Sequence, residues 1–272
     1  MAENELNAVV IQKIEVAPGL MVMRVKPDGW DLPDFIPGQF AVLGLKGSAP
    51  RCQMSDPEGN APPDPDKLIK RPYSIASSSK AREYIEFYIT LVRSGDLTPR
   101  LFALGVGGKV FLGPRFKGVF TLDSVPKGAN IVMAATGTGL APYMSMMRTS
   151  LSTLGGSRMA IIHGARHSWD LGYRSELITL TNVSPSFDYF PIISRPDEEY
   201  VKWGGHTGYV QDLWTGGVVE EKWGFKPSPE NTHVFLCGNP GMVTTLTGIL
   251  EKDGFREHTK KNPGQLHLEK WW

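Results

Sequence analysis

Three short motifs combine residue types that could bind a phosphorylated aromatic ligand. RPYS spans Arg71–Ser74, ATGTGLAPY spans Ala135–Tyr143, and CGNPGMV spans Cys237–Val243. An arginine offers a planar fork to a phosphate, a tyrosine ring lies against a flat heterocycle, and a glycine-rich turn exposes backbone amides to an anion. A nucleotide requires such contacts, although each motif alone also fits a purely structural role.

The RPYS motif places its polar groups on a predicted strand. Because side chains alternate along a strand, Arg71 and Tyr73 share one face. Ser74 could donate a hydrogen bond to a ring nitrogen, but it needs a local twist, or its backbone, to reach the same ligand. The alternative is a barrel strand with a surface arginine.

The glycine-rich turn follows a predicted strand and precedes a predicted helix. Gly137 and Gly139 would therefore expose amides and a positive helix end to an anion such as a pyrophosphate. The third glycine of the dinucleotide fingerprint is absent, since Pro142 stands there, and no acidic residue ends the next strand to hold a ribose hydroxyl. These departures disfavour a standard Rossmann site, and a tight turn without a ligand is the alternative.

The third motif ends an apolar strand in Cys237. Ligands of an open parallel sheet bind at the carboxyl ends of its strands, where this thiol would lie. The alternative is a small buried cysteine that packs as a hydrophobic residue.

Two kinds of secondary structure must position these motifs. The first half reads as short strands rich in Val, Ile, Phe and Tyr, which suggests an antiparallel barrel. Residues 46–70 are rich in Pro, Gly and Asp and predict a long surface loop. The predicted strands are NAVVIQKIEV, LMVMRV, QFAVLGL, RPYSIA, YIEFYITLV, KVFL and GVFTL.

From about Pro126, strands alternate with helix-length segments. The apolar runs NIVMAAT, RMAIIHGAR, DYFPIISR and HVFLCG are typical of a buried parallel sheet, and APYMSMMRTSLSTL is helix-like. We expect a β domain over residues 1–124 and an α/β domain over 125–272, with the boundary in LDSVPKGAN.

Composition excludes several classes of function. With 29 basic and 28 acidic side chains, the net charge of +1 provides no global field for nucleic acid or an anionic membrane. Cys52 and Cys237 alone cannot build a disulfide framework, a zinc site or a cysteine-ligated iron–sulfur cluster. No apolar run approaches the length of a membrane span. We expect a soluble, monomeric cytoplasmic protein without a metal site.

The order of the three motifs resembles the ferredoxin–NADP+ reductase family, and the resemblance covers nearly the whole chain. HGAR, SRP and the aromatic C-terminus are most similar to the bacterial form. Further segments that look like the family are PGQF, FYITLV, GDLTPRL, GPRFKGVF and LEKWW.

The resemblance implies an FAD-binding antiparallel Greek-key β-barrel followed by a parallel-sheet α/β domain that binds NADP(H). By family role, Arg71 binds the flavin pyrophosphate, Tyr73 stacks on the isoalloxazine and Ser74 hydrogen-bonds near N5. Leu97 and Thr98, at a predicted helix start, would place amides on the same pyrophosphate. The remaining flavin-site residues would be Pro72, Tyr88, Ile89 and Thr90.

On the α/β half, the resemblance assigns Cys237 and Gly238 to bracket the nicotinamide ring. Glu269 matches the family's acidic residue two positions before an aromatic, here Trp271. Trp271 and Trp272 would stack on the flavin or its adenine and gate the site, or else form a frayed tail. The dinucleotide would also contact Thr136, Gly137, Thr138, Gly139 and Met242.

The activity that the resemblance implies is hydride exchange between nicotinamide C4 and flavin N5, followed by one-electron transfer to ferredoxin or flavodoxin. The cofactors carry that chemistry and the protein supplies distance and orientation, so no general base is strictly needed. The residues expected beside the reacting atoms are Ser74, Cys237 and Glu269.

The choice between NADP(H) and NAD(H) depends on a cluster of cations. Bacterial relatives meet the 2′-phosphate with three arginines; Arg166 matches the first and Arg195, after Ser194, the second. The third position reads Gly208-Tyr209, so one arginine is missing.

The YVQ segment, Tyr209 to Gln211, resembles instead the plant-type pattern in which the tyrosine stacks on adenine, although NADH-using oxygenase reductases also carry GYV. We expect NADP(H), with NAD(H) as the alternative. Two other functions stay open: an NADH-dependent oxygenase reductase with a separate electron carrier, and a non-catalytic flavoprotein subunit of a larger complex.

Overall fold

The computed structural model describes residues 6–59, 63–153 and 155–270. They form two compact units, the first extending to Thr121 and including Met144–Thr149, the second comprising Leu122–Tyr143 and the chain from Ser150 onward. Among the described residues, none of the helices combines the length and apolar composition needed to span a bilayer.

The first unit is an antiparallel, barrel-like sheet, as the sequence predicted. Its six strands lie in the order β4-β3-β6-β1-β2-β5, and buried side chains such as Val10, Leu43 and Phe87 form its core. One short helix, α1 (Thr98–Ala103), follows the last long strand. The strands are β1 (Ala8–Ala17), β2 (Leu20–Pro27), β3 (Phe40–Lys46), β4 (Leu68–Ser74), β5 (Ile85–Thr90) and β6 (Lys109–Leu112).

Two predictions for this unit were wrong. GVFTL is not a strand: Gly118 has φ +130, Val119 is 79% exposed, and the segment runs into a 3-10 turn at Leu122–Ser124. Its buried residues, Phe120 and Thr121, are consecutive, so burial does not alternate as it would along a strand with one exposed face. The predicted loop also ends earlier than residue 70, because Leu68 pairs with Lys46 and buried Ile69 already belongs to β4.

The second unit is a parallel sheet with helices, again as predicted. Its strand order is β10-β9-β8-β7-β11-β12, and the short strands β10 and β12 were not anticipated from sequence. The strands are β7 (Asn130–Thr136), β8 (Met159–Ala165), β9 (Phe187–Ile193), β10 (His206–Thr207), β11 (Thr232–Cys237) and β12 (Leu266–Glu269). The helices are α2 (Ala141–Ser150), α3 (Arg174–Val183), α4 (Val210–Thr215), α5 (Val218–Trp223) and α6 (Pro240–Lys252).

Strand register aligns the carboxyl ends of the central strands. Cys237 at the end of β11 pairs with Ala135 on β7 and with Glu269 on β12. Helix α6 begins directly after this point, where Asn239 caps it by accepting hydrogen bonds from the amides of Gly241 (2.8 Å) and Met242 (3.4 Å). Three strand ends and one helix start therefore meet at one edge of the sheet.

A histidine cluster fastens the edge strand β12 to β11. Nδ1 of His233 and Nε2 of His267 share a hydrogen bond of 3.0 Å, and the His267 ring stacks on Phe235 and on His258. Burial, together with the neighbouring histidines, lowers the pKa of His267 from 6.5 to about 3. Burial also lowers the pKa of His233. Both rings are therefore held neutral in the fold.

This cluster predicts a loss of stability in acid. A histidine with a depressed folded-state pKa binds protons preferentially when unfolded, so stability falls as pH drops below about 6.5. Between about pH 7 and pH 5 the His267 ring should cost about 2 kcal/mol, and His233 should act in the same direction. His267→Gln keeps a hydrogen-bonding side chain and should reduce the acid shift of the urea midpoint. Exposed His206→Gln is the control, and an equal shift in both variants would contradict this assignment.

Candidate functional site

Arg71 on the first unit lies at the exposed edge of a strand and carries a replaceable partner. Its Nη2 is 3.7 Å from Oδ2 of Asp96, and its Nη1 donates to the carbonyl of Lys70 at 2.9 Å. Both members of the ion pair are about half exposed, with side-chain exposures of 56% and 49%. Such a long, solvated ion pair contributes little to stability, so the guanidinium can exchange Asp96 for a bound anion.

Tyr73 is held by the core of the first unit. Its ring meets Phe87 edge to face at 6.3 Å, and burial raises the pKa of its phenol well above 10, against the opposing effect of Arg71. The phenol is therefore a neutral group on a fixed ring. Ser74 is half-buried where β4 ends and pairs with Phe40 of β3.

The other predicted flavin residues divide by exposure. Tyr88 and Ile89 are buried in β5, so only their backbone could reach a ligand, whereas Pro72 and Thr90 are exposed. Leu97 and Thr98 are also buried, and the Thr98 hydroxyl accepts a hydrogen bond from the amide of Val92 and donates one to its carbonyl.

Two arginines that sequence reasoning did not single out anchor the turn before α1. Arg100 is 2% exposed and donates to the carbonyls of Gly47 and of Asp96, the latter at 2.7 Å. Arg51 donates to the carbonyl of Gly95 at 2.9 Å. Both arginines hold the turn through its carbonyl groups. The only sequence signal was Arg100 within GDLTPRL.

On the second unit, two loops approach so closely that each needs a glycine. A Cβ on Gly139 would lie 2.6 Å from the carbonyl carbon of Cys237, and one on Gly238, at φ +137, would lie 2.7 Å from the amide nitrogen of Thr136. Oγ1 of Thr136 accepts a hydrogen bond of 2.6 Å from the amide of Asn239 across the same contact. The predicted glycine turn and the predicted CGNPG segment thus form one structure.

Cys237 and Glu269 form a buried pair beside these loops. The thiol donates to Oε2 of Glu269 at 3.6 Å, and the two residues are 2% and 9% exposed. Burial, and then the carboxylate, raise the pKa of the Cys237 thiol well above 9. The cysteine therefore stays protonated, as a small polar group and not as a nucleophile.

His163, which sequence reasoning missed, lies under the glycine turn. It pairs with Ala135 across β7 and β8, and its Nδ1 is 3.2 Å from the hydroxyl of Tyr189. Burial lowers its pKa to about 4, against a backbone interaction with Gly137. A neutral imidazole thus supports the turn from within the core.

The predicted cation cluster is brought together by adjacent strands. The amide of Arg195 donates to the carbonyl of Arg166 at 2.9 Å, and that of Ser194 to Ala165 at 3.0 Å. Arg166 and Arg195 are both exposed. Tyr209 lies just beyond the neighbouring strand β10 and is 61% exposed.

Gln211 and Met242 differ in whether their side chains could contact a ligand. Oε1 of Gln211 is buried and has no hydrogen-bond partner among the described residues, so a ligand donor could satisfy it. Met242 lies in the first turn of α6, and its side chain packs into the core of the second unit. Thr138 lies half-buried in the turn, and Trp271 and Trp272 lie outside the described residues.

An aromatic ladder that the sequence did not reveal flanks the cation cluster. The rings of His167 and Trp169 stack at 4.5 Å, and Trp169 lies 5.2 Å from Tyr200. His167 also contacts Asp170 at 3.0 Å and Glu198 at 2.8 Å. Burial lowers the pKa of His167, but the hydrogen bonds to these two carboxylates outweigh burial and raise the pKa overall.

Fold and site define a nucleotide-binding oxidoreductase domain, and comparison with known proteins agrees. The family model described as the oxidoreductase NAD-binding domain matches residues 133–247. The chain is 30% identical to the flavodoxin/ferredoxin–NADP reductase of Escherichia coli K12, covering 88% of each protein, and 31% identical to that of Rhodobacter capsulatus, covering 87% of this chain and 82% of the relative. The chain belongs to the flavodoxin/ferredoxin–NADP reductase family.

Structural similarity agrees with this fold. A ferredoxin NADP+ reductase from Neisseria gonorrhoeae, solved with bound FAD and NADP, superposes with a TM-score of 0.78 at 24% identity over 97% of both chains. A cytochrome P450 reductase from Amycolatopsis superposes with a TM-score of 0.72 over 97% of this chain. The fold is therefore common to reductases with different named partners.

The glycine contact predicts a strong position dependence for Gly→Ala substitution. Gly139→Ala forces a methyl group into the backbone of Cys237 and should destabilise the protein by about 1–3 kcal/mol. Gly248→Ala, inside α6 with nothing within 4 Å of the added methyl, should stabilise by about 0.5–1 kcal/mol. Urea midpoints measure both effects, and a neutral Gly139→Ala would show that the two loops can separate without cost.

Proposed function

We propose that the protein is an FAD-dependent reductase that exchanges electrons between NADP(H) and a ferredoxin or flavodoxin. The observation that carries the proposal is the register of β11 and β12, which sets Cys237 and Glu269 beside the glycine turn of the dinucleotide fold. The relatives are named for this activity, and the chain covers most of their length.

The residues of the first unit fit an FAD. Arg71 offers a guanidinium whose partner, Asp96, is held only weakly, and a flavin pyrophosphate would replace it with charge-assisted hydrogen bonds. Tyr73 offers a ring already fixed by Phe87, so stacking on an isoalloxazine would cost little side-chain entropy.

The residues of the second unit fit a nicotinamide dinucleotide. Gly137 has φ +53, and a Cβ there would meet nothing within 4 Å, which leaves the backbone open to a diphosphate. Gln211 offers a buried unpaired acceptor and Tyr209 an exposed ring. Arg166 and Arg195 would read a 2′-phosphate, the group that distinguishes NADP from NAD.

A flavin held by these residues would supply hydride exchange with a nicotinamide and one-electron transfer to the acceptor. The role of the chain's own residues would be to orient the bound cofactors and shield them from water. The buried Cys237 thiol remains protonated and presents an uncharged surface, while the Glu269 carboxylate orients that thiol by accepting a hydrogen bond from it. Neither group needs to transfer a proton for the reaction to proceed.

An NADH-dependent reductase of an oxygenase is the second candidate, on two observations. Arg195 is engaged by Glu198 at 3.2 Å, and Tyr209 stands where the bacterial pattern of the family has its third arginine. The ion pair and the missing arginine both weaken recognition of a 2′-phosphate and so favour NADH over NADPH.

Steady-state reduction of an artificial acceptor tests the cofactor assignment. Arg195→Glu should raise KM for NADPH strongly and leave KM for NADH nearly unchanged, because only NADPH carries the 2′-phosphate. Lys202→Glu, an exposed cation nearby in sequence, is the charge-matched control. Equal damage to NADPH and NADH kinetics would reject the role of Arg195, and a wild type that favours NADH would support the second candidate.

The flavin assignment has its own test. The protein should purify yellow with non-covalent FAD, and Arg71→Ala should weaken FAD binding by about 1.5–3 kcal/mol through loss of a charge-assisted contact. Arg82→Ala removes an exposed cation paired with Asp34 and should leave FAD binding intact. Flavin fluorescence on titration of the apoprotein gives both constants. Protein that is colourless and takes up no added FAD would overturn the proposal.

A further inference from the structure

We infer that Glu198 is a specificity-determining residue that opposes NADPH: its carboxylate occupies Arg195, one of the two arginines that would hold the 2′-phosphate. The inference rests on the proposed function, because it assigns the 2′-phosphate to Arg166 and Arg195. It adds a residue that acts against the preferred cofactor.

Glu198 contacts Arg195 and His167, which belong to two different segments. It ends the 3-10 turn Pro196–Glu198 that follows β9, and its Oε1 and Oε2 lie 3.2 Å and 3.4 Å from Nη1 of Arg195. Its Oε2 also lies 2.8 Å from Nε2 of His167. One carboxylate therefore contacts both the arginine and the histidine.

The neighbouring acidic groups are committed elsewhere. Asp170 contacts Nδ1 of His167 at 3.0 Å, and Glu199 accepts from the amide and hydroxyl of Ser168 at 2.7 Å and 2.6 Å. Glu199 thus ties the turn after β9 to the segment after β8, a structural role. Glu198 is the acidic group described as contacting Arg195, and it is therefore the one that a phosphate must displace.

Displacement is feasible because the pair is exposed. The side chains of Arg195 and Glu198 are 48% and 54% exposed, so the carboxylate can turn into solvent when a ligand arrives. It then still lies near the dianionic phosphate and repels it. An adenosine with a free 2′-hydroxyl meets neither the competition nor the repulsion, so Glu198 lowers the preference for NADPH.

The opposite role for Glu198 would be to position Arg195 for the phosphate. Glu198→Gln separates these roles by sign, because the amide keeps the size of the side chain and removes the charge. Release of Arg195 should tighten binding of a 2′-phosphate, whereas loss of positioning should weaken it.

The experiment is calorimetric titration of the flavin-loaded protein with 2′,5′-ADP and with 5′-AMP, which differ only in the 2′-phosphate. Glu198→Gln should tighten 2′,5′-ADP by about three- to tenfold and change 5′-AMP by less than about twofold. The gain should shrink at high salt, because exposed charges are screened. kcat/KM should rise for NADPH in the same proportion and stay unchanged for NADH.

Asp197→Asn is the matched control, since it removes one exposed carboxylate from the same turn. An equal gain in Asp197→Asn would show a general charge effect and overturn the inference, as would weaker or unchanged 2′,5′-ADP binding in Glu198→Gln. A wild type that binds both ligands equally contradicts NADPH as the preferred cofactor. If Glu198→Gln then prefers 2′,5′-ADP, the inference stands while that part of the proposed function fails.

Discussion

The second unit depends on the contact between two backbones at the carboxyl edge of its parallel sheet. Gly139 packs against the carbonyl of Cys237, Gly238 packs against Thr136, and Asn239 donates to the Thr136 hydroxyl. The contact fixes the turn after β7 against the start of α6. Because the Thr136 hydroxyl already accepts one hydrogen bond, its proton points away from Asn239 and is available to an acceptor on a ligand.

In the first unit, arginine side chains fix the turn before α1. Its turn before α1 is held from behind, because Arg100 and Arg51 donate to carbonyls of that turn. Arg100 is almost fully buried and also pairs with Glu58 and with the carbonyl of Gly47, in the connection between β3 and β4. A buried guanidinium is tolerated only when its donors are satisfied, so this connection is part of the support for the turn.

Sequence patterns predicted those parts of the fold that depend on local chemistry. NIVMAAT and HVFLCG are strands because continuous apolar runs between turn signals suit a sheet covered on both faces. GVFTL carried similar residue types and is not a strand; Gly118 has a positive φ, and the buried residues Phe120 and Thr121 do not alternate with exposed ones. Gly139 was singled out as an amide donor to a ligand, and its more evident role is to admit the backbone of Cys237.

Residues that act through tertiary neighbours escaped prediction. His267 and Glu198 belong to no motif, and His163 lies in HGAR, from which only Arg166 was assigned a role. The properties of all three arise from groups that are remote in sequence or from burial. Tyr88 and Ile89 were assigned to the flavin site from a segment resemblance, yet their side chains are buried. Position within a motif therefore predicts the element better than it predicts which side chain faces a ligand.

The register of β12 has an evolutionary consequence. Glu269 reaches Cys237 because it is the fourth residue of a four-residue strand paired one to one with β11. A single insertion or deletion within that strand would turn the carboxylate to the opposite face of the sheet, since side chains alternate. Changes of length in the segment between α6 and β12 would be absorbed before pairing begins. The site should therefore accept gaps in the connection and reject them in the strand.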